Sequence, residues 1–393
     1  MKSFTTFIAE SATEASEKQL KHLEHLEDHI VNAGGAGAQH ALDNLHDVHR
    51  KLRGRDTKTK ITMKYDGSPS VVFGHHPETG KFFVASKSVF NKNPKLNFSD
   101  EDIQKNHGHA PGLVEKLKHA LKHLPKVTPP RGVYQGDIMH TKGDVKEHKG
   151  KIHFTPNTIT YSAPKGSAHG KAAMNSRIGV AVHTAYKGDD LPGMEAQYAP
   201  DLSHFKSHPD VHMISTTHKL DNVKYDEDKQ DKFKKHFKAA TSSIRRVPQE
   251  GHDAIAAHQE HLKTYINQTV RNETKPTAEG FINHLHNVHT KKIDGVKTQK
   301  AKDAKTVEKQ RAVQHVMDNR AHFNHMFNAH RHLQAAKDVL TNSLSSTAEF
   351  DHHIRGKKSK PEGFVVVRNN RPTKFVDRAD FSRQNLLKGQ PAQ

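Results

Sequence analysis

Apolar residues recur at helical spacing in the N-terminal part of the chain, from about residue 14 to residue 52. They are Leu20, Leu23, Leu26 and Ile30, followed by Ala41, Leu45 and Val48. This spacing gives a helix one apolar face. Because the Gly34-Gly35 pair supplies a helix stop and a turn, the pattern predicts two helices that form a hairpin.

Between residues 60 and 188 the pattern changes to short apolar runs with turn residues between them, which predicts β-strands. The first three runs cover residues 61–65, 70–73 and 81–85. Asp66-Gly67 and Thr79-Gly80 separate these runs, so we expect antiparallel hairpins at both turns. The remaining predictions in this region are a helix at 111–123 and strands at 132–139, 151–154, 158–162 and 178–185.

From about residue 192 to residue 345 the pattern is mainly helical and polar, with many lysines and histidines. The helices are predicted at residues 229–246, 252–270, 278–289 and 303–344. Strand-like runs return at 363–368 and 373–376. The sequence therefore predicts a large helical segment between two regions that are rich in strands.

The composition is typical of a modest core with much solvated helix. Apolar residues make up 33% of the chain and aromatic residues 6%, both low for a globular protein. The chain has no cysteine, which excludes disulfides and thiolate metal sites. It also has no run of about 18 apolar residues and no signal-peptide pattern, so we expect a soluble intracellular protein without membrane contact.

The charge balance is strongly basic. The formal net charge is +19 with all 35 histidines neutral. Such a charge favours polyanion partners, because each neutralised phosphate releases bound counterions. The alternative interpretation is a compositional bias of the source organism with no binding site attached.

The sequence Lys64-Tyr65-Asp66-Gly67 stands at the end of a predicted strand. It resembles the Lys-x-Asp-Gly motif of the covalent nucleotidyltransferases, which include ATP-dependent DNA ligases, RNA ligases and capping enzymes. In that chemistry a lysine amine attacks the α-phosphate of a nucleotide and expels pyrophosphate. The Asp-Gly turn would bring the backbone close to the ligand and leave one carboxylate nearby. The plainer alternative is a β-hairpin turn after an edge-strand lysine.

Three later segments resemble further motifs of the same family, in the same order. The run 82–87 ends in Ser86-Lys87, where the family has Ser-Arg, and the resemblance implies that Lys87 contacts phosphate or ribose. The run 133–138 contains Asp137 where the family usually has glutamate, a ligand of the ribose or the metal. The run 178–183 would present His183 against the base. Each segment alone is equally compatible with an ordinary strand.

Near the C-terminus, Pro361-Glu362-Gly363-Phe364-Val365-Val366 matches the Glu-Gly-x-Val motif of the family. The resemblance implies that Glu362 holds Mg²⁺ or Mn²⁺, with Asp137 as a second candidate ligand. Lys374 takes the place of the final Lys-x-Lys strand, where it would neutralise the α-phosphate. Val376 stands at the second lysine position, and Arg378 is a candidate substitute.

The resemblance covers residues 60–188 and 350–382, and RNA ligases are the nearest subgroup because they carry helical accessory domains. It implies an α+β fold whose antiparallel-sheet nucleotidyltransferase core carries an N-terminal helical hairpin and a large helical insertion, without a C-terminal OB-fold. The predicted boundaries are a propeptide at 1–10, a helical hairpin at 11–58, core parts at 59–190 and 349–382, the insertion at 191–348, and a tail at 383–393.

Residues 1–10, MKSFTTFIAE, resemble the capsid-targeting sequence of internal head proteins in T-even-type bacteriophages. Ile8-Ala9-Glu10 followed by Ser11 fits the site that a prohead protease cuts. The resemblance implies a location inside the phage virion and then in the host cytoplasm. The alternative is the first turn of an amphipathic helix.

Histidines at helical spacing, such as His258 with His261 and His322 with His325, resemble zinc ligands only superficially. No His-Glu-x-x-His motif accompanies them, so we expect structural or surface roles.

Three functions therefore follow from the sequence. The first is an ATP-dependent RNA-ligase-like enzyme that forms a Lys64–AMP intermediate and passes AMP to a nucleic-acid 5′-phosphate, with RNA preferred over DNA. The second is an adenylyltransferase with another target. The third is a basic DNA-binding head protein with a degenerate nucleotide site.

Overall fold

The computed structural model describes residues 23–91 and 93–378 of the chain. The chain divides into two compact units. The first unit contains Lys60–Asp221 and Thr347–Pro372, and the second contains Glu24–Thr59, Asn222–Ser346 and residues 373–378. The predicted capsid-targeting sequence at 1–10, the first part of the predicted helical hairpin and the tail at 383–393 lie outside the described residues.

The described residues form a mixed α+β fold with antiparallel sheets. The strands are β1 (Lys60–Met63), β2 (Ser70–His75), β3 (Phe82–Ala85), β4 (Val133–Thr141), β5 (Lys146–His148), β6 (Lys151–Phe154), β7 (Ile159–Pro164), β8 (Ile178–Lys187), β9 (Glu195–Tyr198), β10 (Val211–Ile214), β11 (Asp351–Ile354), β12 (Lys357–Ser359), β13 (Gly363–Arg368) and β14 (Arg371–Val376).

The α-helices are α1 (His29–Leu52), α2 (Asp100–His107), α3 (Pro111–His123), α4 (Ala168–Asn175), α5 (Glu227–Ile244), α6 (Gln249–Ala256), α7 (Gln259–Arg271), α8 (Ala278–Asp294), α9 (Gln299–Asp318) and α10 (Arg320–Leu344). None of the helices in the described ranges combines the length and the apolar character that a bilayer crossing requires.

The first unit is built on a six-stranded sheet in the order β10-β8-β4-β2-β3, with β9 also paired to β8. Its strands are antiparallel except for the β8–β10 pair, which is parallel. The sheet buries both faces. On one face Phe73 packs with Ile103 of α2 and Leu117 of α3, and on the other Phe83 packs with Tyr186. This double burial explains why β8 is apolar at nearly every position instead of alternating.

Two smaller sets of strands complete the first unit. One is a five-stranded antiparallel sheet in the order β12-β11-β7-β6-β5. The other is the antiparallel pair of β1 and β13, in which Met63 lies opposite Phe364. Strand β1 is hydrogen-bonded on its other edge too, because the Met63 N–H donates to the Thr216 carbonyl oxygen at 2.7 Å.

The second unit is helical. Helices α5 and α10 pack along each other, and α1 packs against α10. Helix α1 is kinked where Ala33 leaves the helical region and Gly34 has φ +53°, a conformation that favours glycine. The predicted helix stop at Gly34-Gly35 is therefore a kink within one long helix.

Several predicted elements are confirmed. The helix at 111–123 and the strands at 151–154 and 363–368 have the predicted limits. The Thr79-Gly80 hairpin is confirmed by the antiparallel pairing of β2 and β3.

The predicted hairpin at Asp66-Gly67 is wrong, because β1 pairs with β13 while β2 lies between β3 and β4. The helix predicted over 303–344 is divided at Asn319, and the one over 252–270 is divided between α6 and α7. The first part of the predicted helical insertion, residues 191–221, carries β9 and β10 and belongs to the first unit.

Candidate active site

Lys64 and Glu362 form an ion pair at the end of the β1–β13 pair. The register that places Met63 opposite Phe364 brings the next residues together, and the Lys64 N–H donates to the Gly363 carbonyl oxygen at 3.0 Å. Lys64 Nζ donates to Glu362 Oε1 at 2.5 Å. The Lys64 side chain is 26% exposed and that of Glu362 only 10%, so the pair is partly shielded from water. Two of the predicted site residues are thus in direct contact.

The Asp66 carboxylate holds the loop between β6 and β7. Its Oδ1 accepts from Asn157 Nδ2 at 2.8 Å, and its Oδ2 accepts from the backbone N–H groups of Thr158 at 2.8 Å and Ile159 at 3.1 Å. The Asp66 N–H donates to the Tyr161 hydroxyl oxygen at 2.7 Å. Asp66 therefore fixes the position of the segment that follows Lys64, and its carboxylate is occupied by protein donors.

Gly67 allows this segment to lie directly against β4. A Cβ atom at Gly67 would overlap Asp137 Cβ and would lie 2.9 Å from Met139 Sδ. The next residue continues the contact, because the Ser68 N–H donates to the Ile138 carbonyl oxygen at 3.0 Å. The glycine of the motif is thus required by packing against the strand that carries Asp137.

Asp137 and His183 form the second pair of the site. Asp137 lies in β4, and His183 is the extra residue of a β-bulge in β8, between Val182, which pairs with Gly136, and Thr184, which pairs with Gln135. His183 Nε2 lies 3.7 Å from Asp137 Oδ1. Burial alone would raise the pKa of Asp137, but the His183 imidazole, the Ser70 hydroxyl and the charge of Lys64 together lower it. Asp137 is therefore a carboxylate that interacts with Lys64.

Lys87 lies at the same end of the sheet without contacting the other site residues. Strand β3 ends at Ala85, opposite Val72, and a short 3-10 turn runs from Lys87 to Phe90. At this end β2 begins with Ser70, which pairs with Asp137. Ser86 caps the turn by accepting from the Ser88 N–H at 3.3 Å, and the Lys87 side chain is exposed.

Two further residues support the segment after Lys64, and the sequence did not identify either. The buried Tyr161 of β7 contacts both the Asp66 N–H and the ring of Tyr65, whose centroid lies 5.7 Å away. Lys116 of α3 donates to the Ser68 carbonyl oxygen at 3.1 Å. Tyr161 is a core position within a run of three buried residues of β7, but no local pattern indicates what its hydroxyl binds.

A comparison with known protein families gives a match over most of the chain. Residues 20–390 match a family described as a family of unknown function (DUF6267). The chain belongs to this family. No curated protein and no solved structure is significantly similar to it. The chemistry of its own residues therefore has to indicate what this DUF6267 member does.

Two predicted residues of this DUF6267 member lie outside the first unit. Lys374 belongs to the second unit, where its N–H donates to the Glu24 carbonyl oxygen at 2.8 Å. Arg378, the candidate substitute for the missing lysine, is buried in an ion cluster, where Nη1 lies 2.6 Å from Asp28 Oδ1 and 3.7 Å from Glu27 Oε1. The structure gives Arg378 a structural role, because the carboxylates of Glu27 and Asp28 and the Asn267 side chain engage its guanidinium.

No group of three or more histidine, aspartate or glutamate side chains within residues 23–91 and 93–378 converges on one point as a metal site would require. The two carboxylates that interact with Lys64, those of Asp137 and Glu362, are the metal-ligand candidates that the sequence singled out.

Proposed function

We propose that the first unit is a covalent nucleotidyltransferase of the RNA-ligase type, in which Lys64 accepts AMP from ATP. The observation that carries this proposal is the ion pair of Lys64 with Glu362, in a segment packed against Asp137. Three residues from separate motifs, which the resemblance relates to one reaction, interact here through direct contact or charge.

In the first step Lys64 Nζ attacks the α-phosphorus of ATP. The N–P bond forms, the bond from the α-phosphorus to the bridging oxygen breaks, and pyrophosphate leaves with that electron pair. The lysine must give up a proton before its lone pair can attack. Glu362 Oε1, at 2.5 Å from Nζ, is the acceptor in contact with it.

Magnesium fits the oxygen donors of this site, because Mg²⁺ commonly binds one or two carboxylates together with substrate phosphates. Asp137 and Glu362 would hold it, and when bound it would offset the negative charge of the triphosphate. The lowered pKa of Asp137 keeps this carboxylate ionised at neutral pH, as a ligand role requires.

In the second step AMP passes to an acceptor, for which we propose a nucleic-acid 5′-phosphate. An oxygen of that phosphate attacks the phosphorus of the Lys64 adduct, the N–P bond breaks, and the proton returns to Lys64 Nζ. The net charge of +19 supports a polyanionic acceptor.

The test is incubation of the purified protein with α-³²P-ATP and Mg²⁺, followed by denaturing electrophoresis. We expect a labelled band that pyrophosphate reverses and that is absent in Lys64→Ala and in Lys64→Arg. Lys60→Ala is the matched control, since Lys60 lies on β1, the strand that leads to Lys64, but donates to the Ala199 carbonyl oxygen. Absence of label with Mg²⁺, Mn²⁺, ATP and GTP would contradict the proposal and leave nucleic-acid binding without adenylation as the alternative.

A further inference from the structure

The second unit contains a basic concavity that the proposed chemistry does not use. It has a volume of about 590 Å³ and lies between the C-terminal end of α1 and the middle of α5. Its cationic residues are Arg50, Arg53, Arg55 and Lys234. The exposed His46 and the half-buried Phe237 add two rings, whose centroids are 6.4 Å apart.

The local fold at the end of α1 gathers the three arginines. Gly54 has φ +73°, and its N–H donates to the Lys51 carbonyl oxygen at 3.0 Å. The Arg55 N–H donates to the Arg50 carbonyl oxygen at 3.1 Å, which completes a Schellman motif. The motif turns the chain back on itself, so that residues on both sides of the helix end line one concavity.

The charge of the concavity is largely uncompensated. Among the described residues no carboxylate forms an ion pair with Arg50, Arg53 or Arg55. Lys234 is paired with Asp231 at 2.8 Å, but both side chains are more than half exposed, and water screens such pairs strongly. A ligand with several negative charges would therefore find unpaired cations here.

The pKa of the buried His49, at the floor of the concavity, is also affected by the positive charge of the surrounding residues. Its Nδ1 lies 2.6 Å from the Tyr225 hydroxyl oxygen, and its ring is stacked on Phe233 with centroids 4.5 Å apart. Burial, together with the positive charges of Arg53 and Lys234 and the nearby His46, lowers the pKa of His49 to about 4. Among the described residues, no carboxylate raises the pKa of His49.

Stabilisation of the helix end does not explain this arrangement. A cation in the last turn of a helix interacts favourably with the helix dipole, and Arg50 has that position. Arg53 and Arg55 follow the last helical residue, and Lys234 comes from α5. The negative pole of a helix amounts to about half an elementary charge. Four cations carry far more charge than is needed to neutralise this pole, so the concavity remains positive and attracts an anion.

We propose that this concavity binds the phosphodiester backbone of a single-stranded nucleic acid. Guanidinium groups donate in pairs to phosphate oxygens, and exposed rings provide stacking surfaces for unpaired bases. A volume of about 590 Å³ suits one or two nucleotides better than a duplex. Binding at this concavity does not require adenylation of Lys64. Absence of RNA binding would therefore contradict this proposal alone, and absence of Lys64 labelling would contradict the proposed function alone.

The test is fluorescence anisotropy of a 5′-labelled single-stranded RNA over a series of salt concentrations. We expect Arg53→Gln/Arg55→Gln to weaken binding by about tenfold at 0.1 M salt and to reduce the slope of log K against log salt by about 1.4, since each lost phosphate contact in a single strand contributes about 0.7. His46→Ala should weaken binding of the single strand several-fold.

The matched control is Arg245→Gln/Arg246→Gln, which removes two exposed arginines of the same unit outside the concavity. It should change affinity and slope little. Equal losses in the two double variants would overturn the proposal, as would unchanged binding in Arg53→Gln/Arg55→Gln. A preference for duplex RNA or DNA would overturn the single-strand assignment. A protein that binds inorganic phosphate but does not bind the oligonucleotide would overturn the nucleic-acid assignment.

Discussion

Lys64 Nζ lies 2.5 Å from Glu362 Oε1, although 298 positions separate the two residues in the sequence. Antiparallel pairing of β1 with β13 produces this contact, since it aligns the end of one strand with the start of the other. An ammonium group cannot act as a nucleophile, so the amine must lose a proton before it attacks. Glu362 therefore both positions the amine and provides the nearest site for its proton.

The first prediction concerns Glu362. In Glu362→Gln the amide can still accept from Lys64 but cannot take its proton, so we expect the rate of Lys64 labelling by α-³²P-ATP to fall at least 100-fold. The control is Glu147→Gln, which should label normally. It removes an exposed carboxylate of β5 that is paired with Lys165. Normal labelling of Glu362→Gln would exclude the proton-acceptor role.

The second prediction concerns the pKa of Asp137. His183→Gln removes the imidazole that contributes most to lowering this pKa, so we expect the pKa to rise. Carbon-13 NMR titration of the side-chain carboxyl groups measures the change directly. Asp201, whose pKa is lowered by hydrogen bonds from Ser203, is an internal control that should not move. An unchanged pKa of Asp137 would show that the 3.7 Å contact has no electrostatic effect.

The lowered pKa of Asp137 also determines the direction in which pH changes the free energy of unfolding. The folded-state pKa of Asp137 lies below its ordinary value of 3.8, so the folded state binds this proton less tightly than the unfolded state does. The resulting stabilisation is present above that value and is lost as the pH falls through the folded-state pKa. It contributes fully at neutral pH, where we expect the proposed reaction to take place.

The third prediction concerns Gly67. A methyl group at this position would collide with Asp137 and Met139, so Gly67→Ala should displace the segment after Lys64 from β4. We expect a loss of about 1–3 kcal/mol in the free energy of unfolding, typical of overpacking, together with reduced labelling of Lys64. Gly143→Ala is the control, because no atom lies within 4 Å of its added Cβ. Equal stability of the two variants would contradict the packing argument.

Local sequence patterns predicted individual elements better than their pairing. The turn at Thr79-Gly80 forms the expected hairpin, because β2 and β3 are adjacent in the sheet. Asp66-Gly67 has the same turn chemistry, but the Asp66 carboxylate binds the backbone of Thr158 and Ile159 instead. A tertiary contact thus overrides the local preference, and no pattern within a few residues of Asp66 indicates it.

The candidate site shows the same limit. The motifs at Lys64, Asp137 and Glu362 were found as separate segments, and their proximity follows from strand pairings that only the fold specifies. The β-bulge at His183 was not foreseen, since a bulge depends on how two strands accommodate each other. Conversely, the helix break at Asn319 was missed because the apolar spacing continues through it.

The fourth prediction concerns a chain of three imidazoles in the first unit, two of which, those of His140 and His212, are buried. His140 Nε2 lies 3.1 Å from His212 Nδ1, and His212 Nε2 lies 3.0 Å from His169 Nδ1. Burial lowers the pKa of His140 to about 4. Burial and the two neighbouring imidazoles lower that of His212 to about 2. Both rings are therefore neutral in the folded protein at pH 5, whereas the unfolded chain is protonated below about 6.5.

This difference should make the first unit sensitive to acid. The stabilisation from the neutral rings is complete above about pH 6.5 and is lost as the pH falls toward 4 for His140 and toward 2 for His212, by up to about 1.4 kcal/mol per pH unit for each ring. In His140→Gln/His212→Gln the free energy of unfolding, measured by denaturant titration, should depend less on pH between 6 and 4.5. His148→Gln, at an exposed position, should follow the wild-type curve, and parallel curves for all three proteins would contradict the prediction.

The fifth prediction concerns the buried ion cluster of the second unit. Lys337 Nζ donates to Glu27 Oε1 at 3.0 Å and to Oε2 at 2.8 Å, and both side chains are fully buried. Lys337→Met leaves the Glu27 carboxylate without its main partner, so we expect a loss of about 3–5 kcal/mol in the free energy of unfolding. Lys232→Met removes an exposed partner of Asp228 and should have little effect.

The double variant Glu27→Leu/Lys337→Met distinguishes two causes of this stability loss, which are the unpaired charge of Glu27 and the lost packing of the Lys337 side chain. If desolvation of an unpaired carboxylate causes the loss, removing that carboxylate as well should recover much of the stability, since apolar residues often replace buried ion pairs without cost. Recovery should stay incomplete, because Arg378 Nη1 lies 3.7 Å from Glu27 Oε1 and would lose this carboxylate while keeping its contacts with Asp28 and Asn267. A double variant as unstable as Lys337→Met would instead assign the loss to packing of the lysine side chain.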